Sequence, residues 1–321
     1  MGLKAIFKKL DFMVECRKYN LSFWQCPNSL FLVMGLIILA AMILTYFIGI
    51  HFVEPEVVIA IVSIVTIALL IIGHSLVGSF ARVAEANRMK SEFVGIVSHQ
   101  LRTPLSSLKW SLDLLRGKRL GELNDKQIEY LDVIKDSNDR MIKLVNDLLN
   151  VNRIDQQRLE MRPKNFRLEE LIDRIMKELS PLANARNVTI NYHLSKGLPE
   201  VFADADKISM VIENLIDNAI KYSKKEGGLI EVAYEKDKKN EKMIKLTVKD
   251  NGIGIPDMFK SQVFGKFFRG DNLIKQRTEG TGLGLFIAKG IIDLSKGHIG
   301  FESKENQGSV FWFVLPIAIK N

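Results

Sequence analysis

Ser98-His99-Gln100-Leu101-Arg102-Thr103-Pro104-Leu105-Ser106-Ser107-Leu108-Lys109-Trp110-Ser111-Leu112-Asp113-Leu114-Leu115 is the stretch around which the rest of the chain can be organised. Leu101, Leu105, Leu108, Leu112 and Leu115 follow at spacings of 4, 3, 4 and 3, a heptad seam along one helix. The pattern predicts a helix from Ala84 to about Gly117. Gly117 and Gly121 bound a turn, and Asn124 precedes a second helical pattern from Asp125 to Ile154. Its apolar positions include Ile128, Leu131, Ile134, Met141, Val145 and Leu148. One helical hairpin would leave too much apolar stripe in water. Two hairpins paired as a four-helix bundle bury it, so a homodimer is expected.

His99 lies two residues before Leu101, off the seam, and should face water. Pro104 has no N–H for the Gln100 carbonyl, which predicts a helix that bends or loosens just beyond His99. A lone exposed histidine is usually unremarkable chemically. One turn before a proline on a dimer helix it is less ordinary, and a neutral imidazole nitrogen is a competent nucleophile toward phosphorus.

Toward the N-terminus the chain becomes apolar. Leu30 to Val53 is 24 residues and Val57 to Ser79 is 23, with no Asp, Glu, Lys or Arg in either. Each is long enough to cross a hydrocarbon core of about 30 Å as a helix. Lys4, Lys8, Lys9, Arg17 and Lys18 flank the first span, and Arg82, Arg88 and Lys90 follow the second. The turn between them, Glu54-Pro55-Glu56, carries no positive charge. The positive-inside rule then predicts a multi-pass protein of the inner membrane with both termini cytoplasmic. On that side Cys16 and Cys26 are read as free thiols. His51 and His74 are read as hydrogen-bonding a neighbouring helix.

The 321 residues suit two or three compact units. Apolar residues make up 47% and charged residues 26%, which excludes a disordered or fibrous chain. Lys plus Arg number 45 and Asp plus Glu 37, a net charge of +8. Beside two spans that charge suits anionic membrane lipid. Aromatic and basic residues do not interleave, so direct nucleic-acid binding is not expected.

After Arg162-Pro163 helical and strand patterns mix. Helices are predicted at 168–185, 208–222 and 283–295, and strands at 187–194, 201–203, 229–235, 242–249, 298–303 and 309–315. The order is not strictly βαβ and points to an α+β sandwich with helices on one face. Asn214, Asn218, Lys221 and Tyr222 fall on one helix face, opposite Ile208, Ile212, Leu215 and Ala219. Amide oxygens beside an ammonium can hold Mg²⁺ and phosphate oxygens, though the same four residues would make an ordinary solvent face. In Asp250-Asn251-Gly252-Ile253-Gly254-Ile255-Pro256, strand parity turns Asp250 inward. A buried carboxylate needs a partner, either an exocyclic amine of adenine or the turn itself. Gly280-Thr281-Gly282-Leu283-Gly284-Leu285 precedes a helix and could cradle phosphate, a weak signal taken alone. Between these motifs lies Phe264-Gly265-Lys266-Phe267-Phe268-Arg269-Gly270, then a polar stretch, 271–279, expected to be a mobile lid. The aromatics would also serve as plain packing for its base. His193 and His298 are read as structural, and no Cys/His spacing suggests a transition-metal site.

Together these motifs resemble those of bacterial two-component sensor histidine kinases. Ser98–Leu105 is similar to the phospho-acceptor box, Asn214–Tyr222 to the N box, and Asp250–Pro256 to the first glycine box. Phe264–Arg269 is similar to the F box and Gly280–Leu285 to the second glycine box. The resemblance covers about 84–317 and implies a dimerisation and phospho-acceptor domain over 80–156 and a Bergerat-type ATP-binding domain over 163–319. A basic segment, 1–29, and the two spans, 30–53 and 57–79, precede them. It implies His99 as the phosphorylated residue, Asn218 with help from Asn214 on Mg²⁺, and Asp250 on adenine. ATP contacts are implied for Asn214, Asn218, Lys221, Tyr222, Gly252, Gly254, Phe264, Phe267, Phe268, Arg269, Gly280, Thr281, Gly282, Leu283 and Gly284. The partner it implies is a response-regulator receiver domain.

The sequence departs from the family pattern at Gln100, where an acidic residue usually follows the histidine. A glutamine carbonyl can orient the imidazole but cannot take its proton, so slow autophosphorylation is expected. Thr103 stands where the family's phosphatase residue lies. Only 19 residues separate Ser79 from His99, too few for a relay module of the usual size, so the signal is expected from the spans, the lipid, a membrane partner or residues 1–29. Two rival functions stay open: a membrane-anchored ATP-binding scaffold, favoured by Gln100, and a gyrase-like or chaperone ATPase. The second is disfavoured because Glu213 sits about 100° around the helix from Asn214.

Overall fold

The computed structural model describes residues 27–51, 54–117, 121–195, 197–224, 226–268 and 280–318. The chain divides into two units, Met1–Ile96 and Val97–Asn321. Residues 1–26, with Cys16 and Cys26, lie outside the described residues.

The first unit is helical. Helix α1 spans Pro27–Gly49. Helix α2 starts at Pro55, a favoured first residue of a helix because its missing N–H has no partner to lose there. Both are long and apolar enough to cross a membrane. Their apolar side chains point outward on all sides: Leu36, Phe47, Ile59 and Ile64 are each more than half exposed. A soluble core helix would bury them. The two pack where small residues allow, Gly49 against Val58 and Gly73 against Met34. The apolar run is therefore helical from residue 27 to 49 and again from 55, so the first helix starts three residues before the expected 30–53 span and ends four residues short of it.

Helix α2 runs to Arg116 without a break at residues 80–83, joining the second apolar span to the helix that carries His99. It also runs unbroken through Pro104, so the expected loosening beyond His99 does not interrupt the helix. A single missing hydrogen bond inside 62 residues leaves the flanking turns to hold the geometry. Helix α3, Asp125–Asp155, begins at a capping box in which Asn124 Oδ1 accepts from Gln127 N and Gln127 Oε1 accepts from Asn124 N, both at 2.9 Å. Within the hairpin Arg102 donates to Asn146 Oδ1 at 2.9 Å, and Asn138 Nδ2 donates to the Leu105 carbonyl at 3.2 Å. Leu112 and Val145 are buried between the helices, whereas Leu101, Leu108 and Ile134 stay exposed. One copy thus hides only part of the seam.

The remaining elements form the head. They are β1 (Lys164–Phe166), α4 (Leu168–Ala185), β2 (Val188–Leu194), β3 (Val201–Ala203), α5 (Ala205–Tyr222), β4 (Gly228–Lys236) and β5 (Met243–Asp250). A 3₁₀ turn (Asp257–Gln262), α6 (Gly284–Leu294), β6 (His298–Lys304) and β7 (Gly308–Pro316) complete it. Five strands form a mixed sheet in the order β2-β4-β5-β7-β6, parallel only between β2 and β4. Strands β1 and β3 pair separately, and β1 is an element the sequence pattern did not reveal. Strand β5 alternates as expected, with Ile244, Leu246 and Val248 buried. With Ile230, Val232, Phe313 and Leu315 they meet Ile172 and Ile175 of α4, Ile212 and Ile216 of α5 and Ile287 and Ile291 of α6 in one core. The fully buried side chains contribute about 1.5–3 kcal/mol each in burial. Asp204 caps α5, accepting from Lys207 N at 3.2 Å, and also accepts from Arg162 N at 2.8 Å. That pair fastens the segment after α3 to the head.

Candidate nucleotide site and phospho-acceptor

A cavity of about 870 Å³ opens beside the end of β5. Helix α5 buries Ile208, Ile212, Leu215 and Ala219, so its opposite face is free to line the cavity with Asn214, Asp217, Asn218, Lys221 and Tyr222. Lys221 Nζ is 2.6 Å from Asp217 Oδ2, and Asn214 Nδ2 donates to the Gly284 carbonyl at 3.5 Å. The four polar residues marked in the sequence therefore share one wall.

Asp250 ends β5 with its carboxylate turned inward and only 7% exposed. Its Oδ1 accepts from Gly252 N at 2.9 Å and from Ser309 N at 3.3 Å. Burial raises its pKa above the ordinary 3.8, and the two backbone donors only partly offset that. Asn251 shapes the neighbouring turn, accepting from Leu229 N and donating to the Gly227 carbonyl, both at 2.9 Å. Gly252 is obligatory for a steric reason: a Cβ there would collide with the Tyr222 carbonyl oxygen. That oxygen already accepts from Ile253 N at 3.1 Å. The turn thus sits directly on the end of α5.

Gly280, Thr281, Gly282 and Gly284 line the cavity from another side. Gly282 adopts φ +68°, a conformation that disfavours any side chain. Thr281 Oγ1 accepts from Leu283 N at 3.2 Å. Helix α6 starts here without a side-chain cap hydrogen bond, leaving first-turn N–H groups available to an anion.

The structure separates the expected contacts into those that line the cavity and those that do not. Asn214, Asn218, Lys221, Tyr222, Asp250, Gly254, Phe268, Gly280, Thr281, Gly282 and Gly284 line it. Gly252, Phe264, Phe267 and Leu283 do not. Gly252 is buried in the turn, and Leu283 is buried in the core. Phe264 stacks edge-on against Phe301 with ring centroids 5.7 Å apart, and Phe267 is 60% exposed. Arg269 and the expected lid, 271–279, lie outside the described residues, as does the loop at 118–120. His99, Gln100 and Thr103 are exposed on α2 and contribute nothing to the cavity wall.

Sequence reasoning missed the wall contributed by α3. Ser137, Arg140, Met141, Lys143, Leu144 and Asp147 face the cavity. Lys143 Nζ lies 3.4 Å from Asp217 Oδ2. Asp147, 6% exposed, accepts from Thr281 Oγ1 at 3.1 Å. Burial raises its pKa against the lowering effects of Thr281, Lys143 and Lys221. Lower on α3, Asp155 pairs with Lys266 at 2.6 Å, and Ile154 packs where Gly290 has no side chain. Met141, read from the sequence as one of the apolar positions of this helix, lines the cavity. Asp147 lies one helical turn beyond Lys143 and outside the apolar series of α3, so nothing in the local sequence marks either as a cavity residue.

Comparison with known proteins bears on the same two regions. Residues 89–157 match the His Kinase A (phospho-acceptor) domain, and residues 203–319 match the histidine kinase-, DNA gyrase B- and HSP90-like ATPase domain. An uncharacterized sensor-like histidine kinase of Rhizobium meliloti is 36% identical over 240 residues, covering 74% of this chain and 44% of that protein. The signal transduction histidine-protein kinase BarA of Escherichia coli is 33% identical over 239 residues, 74% of this chain and 26% of that protein. The sensory/regulatory protein RpfC of Xanthomonas campestris is 32% identical over 236 residues, 73% and 32% respectively. The chain therefore spans less than half the length of these relatives. The crystal structure of full-length ShkA in complex with AMPPNP superposes with a TM-score of 0.59 at 26% identity, covering 71% of this chain and 46% of that one. A phospho-acceptor region followed by an ATPase region, and sensor kinases aligned along nearly three quarters of this chain, agree on one assignment: the chain belongs to the sensor histidine kinase family.

Proposed function

We propose that this chain autophosphorylates His99 from ATP and passes the phosphoryl group to an aspartate of a response-regulator receiver domain. The observation that carries the proposal is a cavity whose walls offer an inward carboxylate, an amide-rich helix face and a glycine loop, in a chain that also presents an exposed histidine on a helical hairpin. Asp250 accepts the adenine amine through the carboxylate oxygen not used by the turn. The glycine loop and the start of α6 hold the phosphates. Asn218, helped by Asn214, supplies hard amide oxygens suited to Mg²⁺, which when bound neutralises phosphate charge. Gln100 accepts a hydrogen bond from His99 Nδ1–H and so orients Nε2 to attack the γ-phosphorus, the Nδ1 proton being lost to water once the N–P bond has formed. The bond to the β-bridging oxygen breaks and ADP departs. Thr103 serves dephosphorylation of the regulator.

Several observations support the setting. Exposed Leu101, Leu108 and Ile134 favour a homodimer through paired hairpins. The outward apolar side chains of α1 and the start of α2, with the basic flanks, favour an inner-membrane anchor with both termini cytoplasmic and anionic lipid at its edge. The domain reading is 1–29 basic segment, 30–79 spans, 80–156 phospho-acceptor region and 163–319 ATP-binding region.

The test is incubation of the full chain, in lipid nanodiscs, with γ-labelled ATP and a receiver protein. Acid-labile, base-stable label on the chain that moves to the receiver is expected. Free phosphate without protein label would instead indicate an ATPase, and neither product would indicate a scaffold.

A further inference from the structure

The carboxylate of Asp147 lies where anions are expected to bind. It is nearly fully buried, and it belongs to α3 of the hairpin, not to the head. Yet it hydrogen-bonds Thr281 in the loop that lines the phosphate end of the cavity. Thr281 Oγ1 connects it in turn to Leu283 N, one residue before α6. One turn earlier, Lys143 approaches Asp217, which also holds Lys221. The Asp147–Thr281 and Lys143–Asp217 contacts each join the hairpin to a residue lining the cavity.

We propose that Asp147 is a built-in anion at the phosphate subsite, and that a nucleoside polyphosphate displaces it and so unfastens the upper part of α3 from the head. This rests on the nucleotide reading of the cavity given above. The physical reason is charge. A polyphosphate brings several negative charges to a loop already engaged by a carboxylate. In a partly desolvated cavity two anions a few ångströms apart repel strongly. The groups facing Asp147 do not remove the conflict. Lys143 and Lys221 are both engaged with Asp217, itself acidic, and burial already disfavours the Asp147 carboxylate. Phosphate oxygens are the stronger competitors for Lys221 and for the Thr281 hydroxyl, so the carboxylate loses its donor when they arrive. The contacts lower on α3, Asp155 with Lys266 and Ile154 against Gly290, do not reach the glycine loop and are kept. Nucleotide binding would thus free α3 at one end and leave it attached at the other. His99 lies outside the cavity wall in this arrangement, so loosening is the direction the reaction requires.

The experiment compares adenosine, ADP and a non-hydrolysable ATP analogue by titration calorimetry, using the full chain in nanodiscs, as wild type and as Asp147→Asn. The substitution keeps shape and removes charge. Adenosine affinity should stay within about twofold, and the ATP analogue should bind about tenfold more tightly to the variant, with ADP between them. Amide hydrogen exchange over 143–151 in the wild type should rise with the ATP analogue and not with adenosine, a reading that needs no variant. Equal weakening of all three ligands, no change in any, or exchange unaffected by phosphate number would overturn the proposal. If wild-type protein bound none of the three, the nucleotide reading itself would be wrong, which is a separate result.

Discussion

Asp250→Asn isolates the proposed adenine-binding role from the structural one, because the two would use different parts of the same side chain. Oδ1 accepts from Gly252 N and Ser309 N, and an asparagine carbonyl can keep both bonds. What the variant loses is the charge and the second acceptor. An amide nitrogen in that place points a donor at the adenine amine, itself a donor. A hydrogen bond to a charged group is worth about 1.5–3 kcal/mol, so ATP affinity should fall roughly 10- to 150-fold. Stability should respond in the opposite sense. Burial raises the folded-state pKa of Asp250 above 3.8, so the native state binds a proton more readily than the unfolded chain. Ionised Asp250 therefore costs stability at neutral pH, and the wild type recovers it as pH falls through the raised folded value toward 3.8. Asp250→Asn should melt no lower than the wild type at pH 7 and should lack that acid-side gain. Calorimetric titration with an ATP analogue and thermal denaturation of the same samples read both effects. Wild-type affinity in the variant would refute the adenine assignment. A melting point several degrees lower at pH 7 would refute the burial argument.

Other substitutions probe the remaining parts. Gly252→Ala should drive its Cβ into the Tyr222 carbonyl, costing about 1–3 kcal/mol, and should lower both melting temperature and ATP binding. Leu108→Glu removes an exposed seam side chain from each copy, and sedimentation should show dimer association weakened by roughly 3–6 kcal/mol at burial values of 1.5–3 kcal/mol per leucine. Gln100→Glu supplies a proton acceptor beside His99 and should raise the initial rate of autophosphorylation, with an unchanged or lower rate counting against the orienting role given to Gln100. Thr103→Ala should leave autophosphorylation intact while slowing loss of phosphate from the regulator, measured as receiver dephosphorylation after ATP is removed.

Local patterns carried most of the fold. Strict alternation in β5, the amphipathic face of α5 and the Asn124 capping signal each act over a few residues, and the structure places all three as read. Strand β1 escaped because three residues, Lys164–Phe166, offer too little periodicity and depend on pairing with the distant β3. Pro104 misled in degree: the local hydrogen bond is lost, but the long helix around it sets the path. The site was legible where side chains share an element with a core-facing partner, as Asn214 and Asn218 do. Phe264 and Leu283 were assigned to the cavity from motif position, yet packing against Phe301 and in the core takes them elsewhere. Lys143 and Asp147 looked like ordinary charges on a hairpin helix. Their role depends on the head docking against α3, a tertiary event with no signature in local sequence.

Labelling of the full chain by γ-labelled ATP, with His99→Gln as the comparison, reaches the central claim most directly. The account predicts acid-labile label on the wild type and none on His99→Gln, while both proteins bind the ATP analogue equally. Equal label on the two proteins would show that the imidazole on α2 is not the acceptor, and the account would be contradicted.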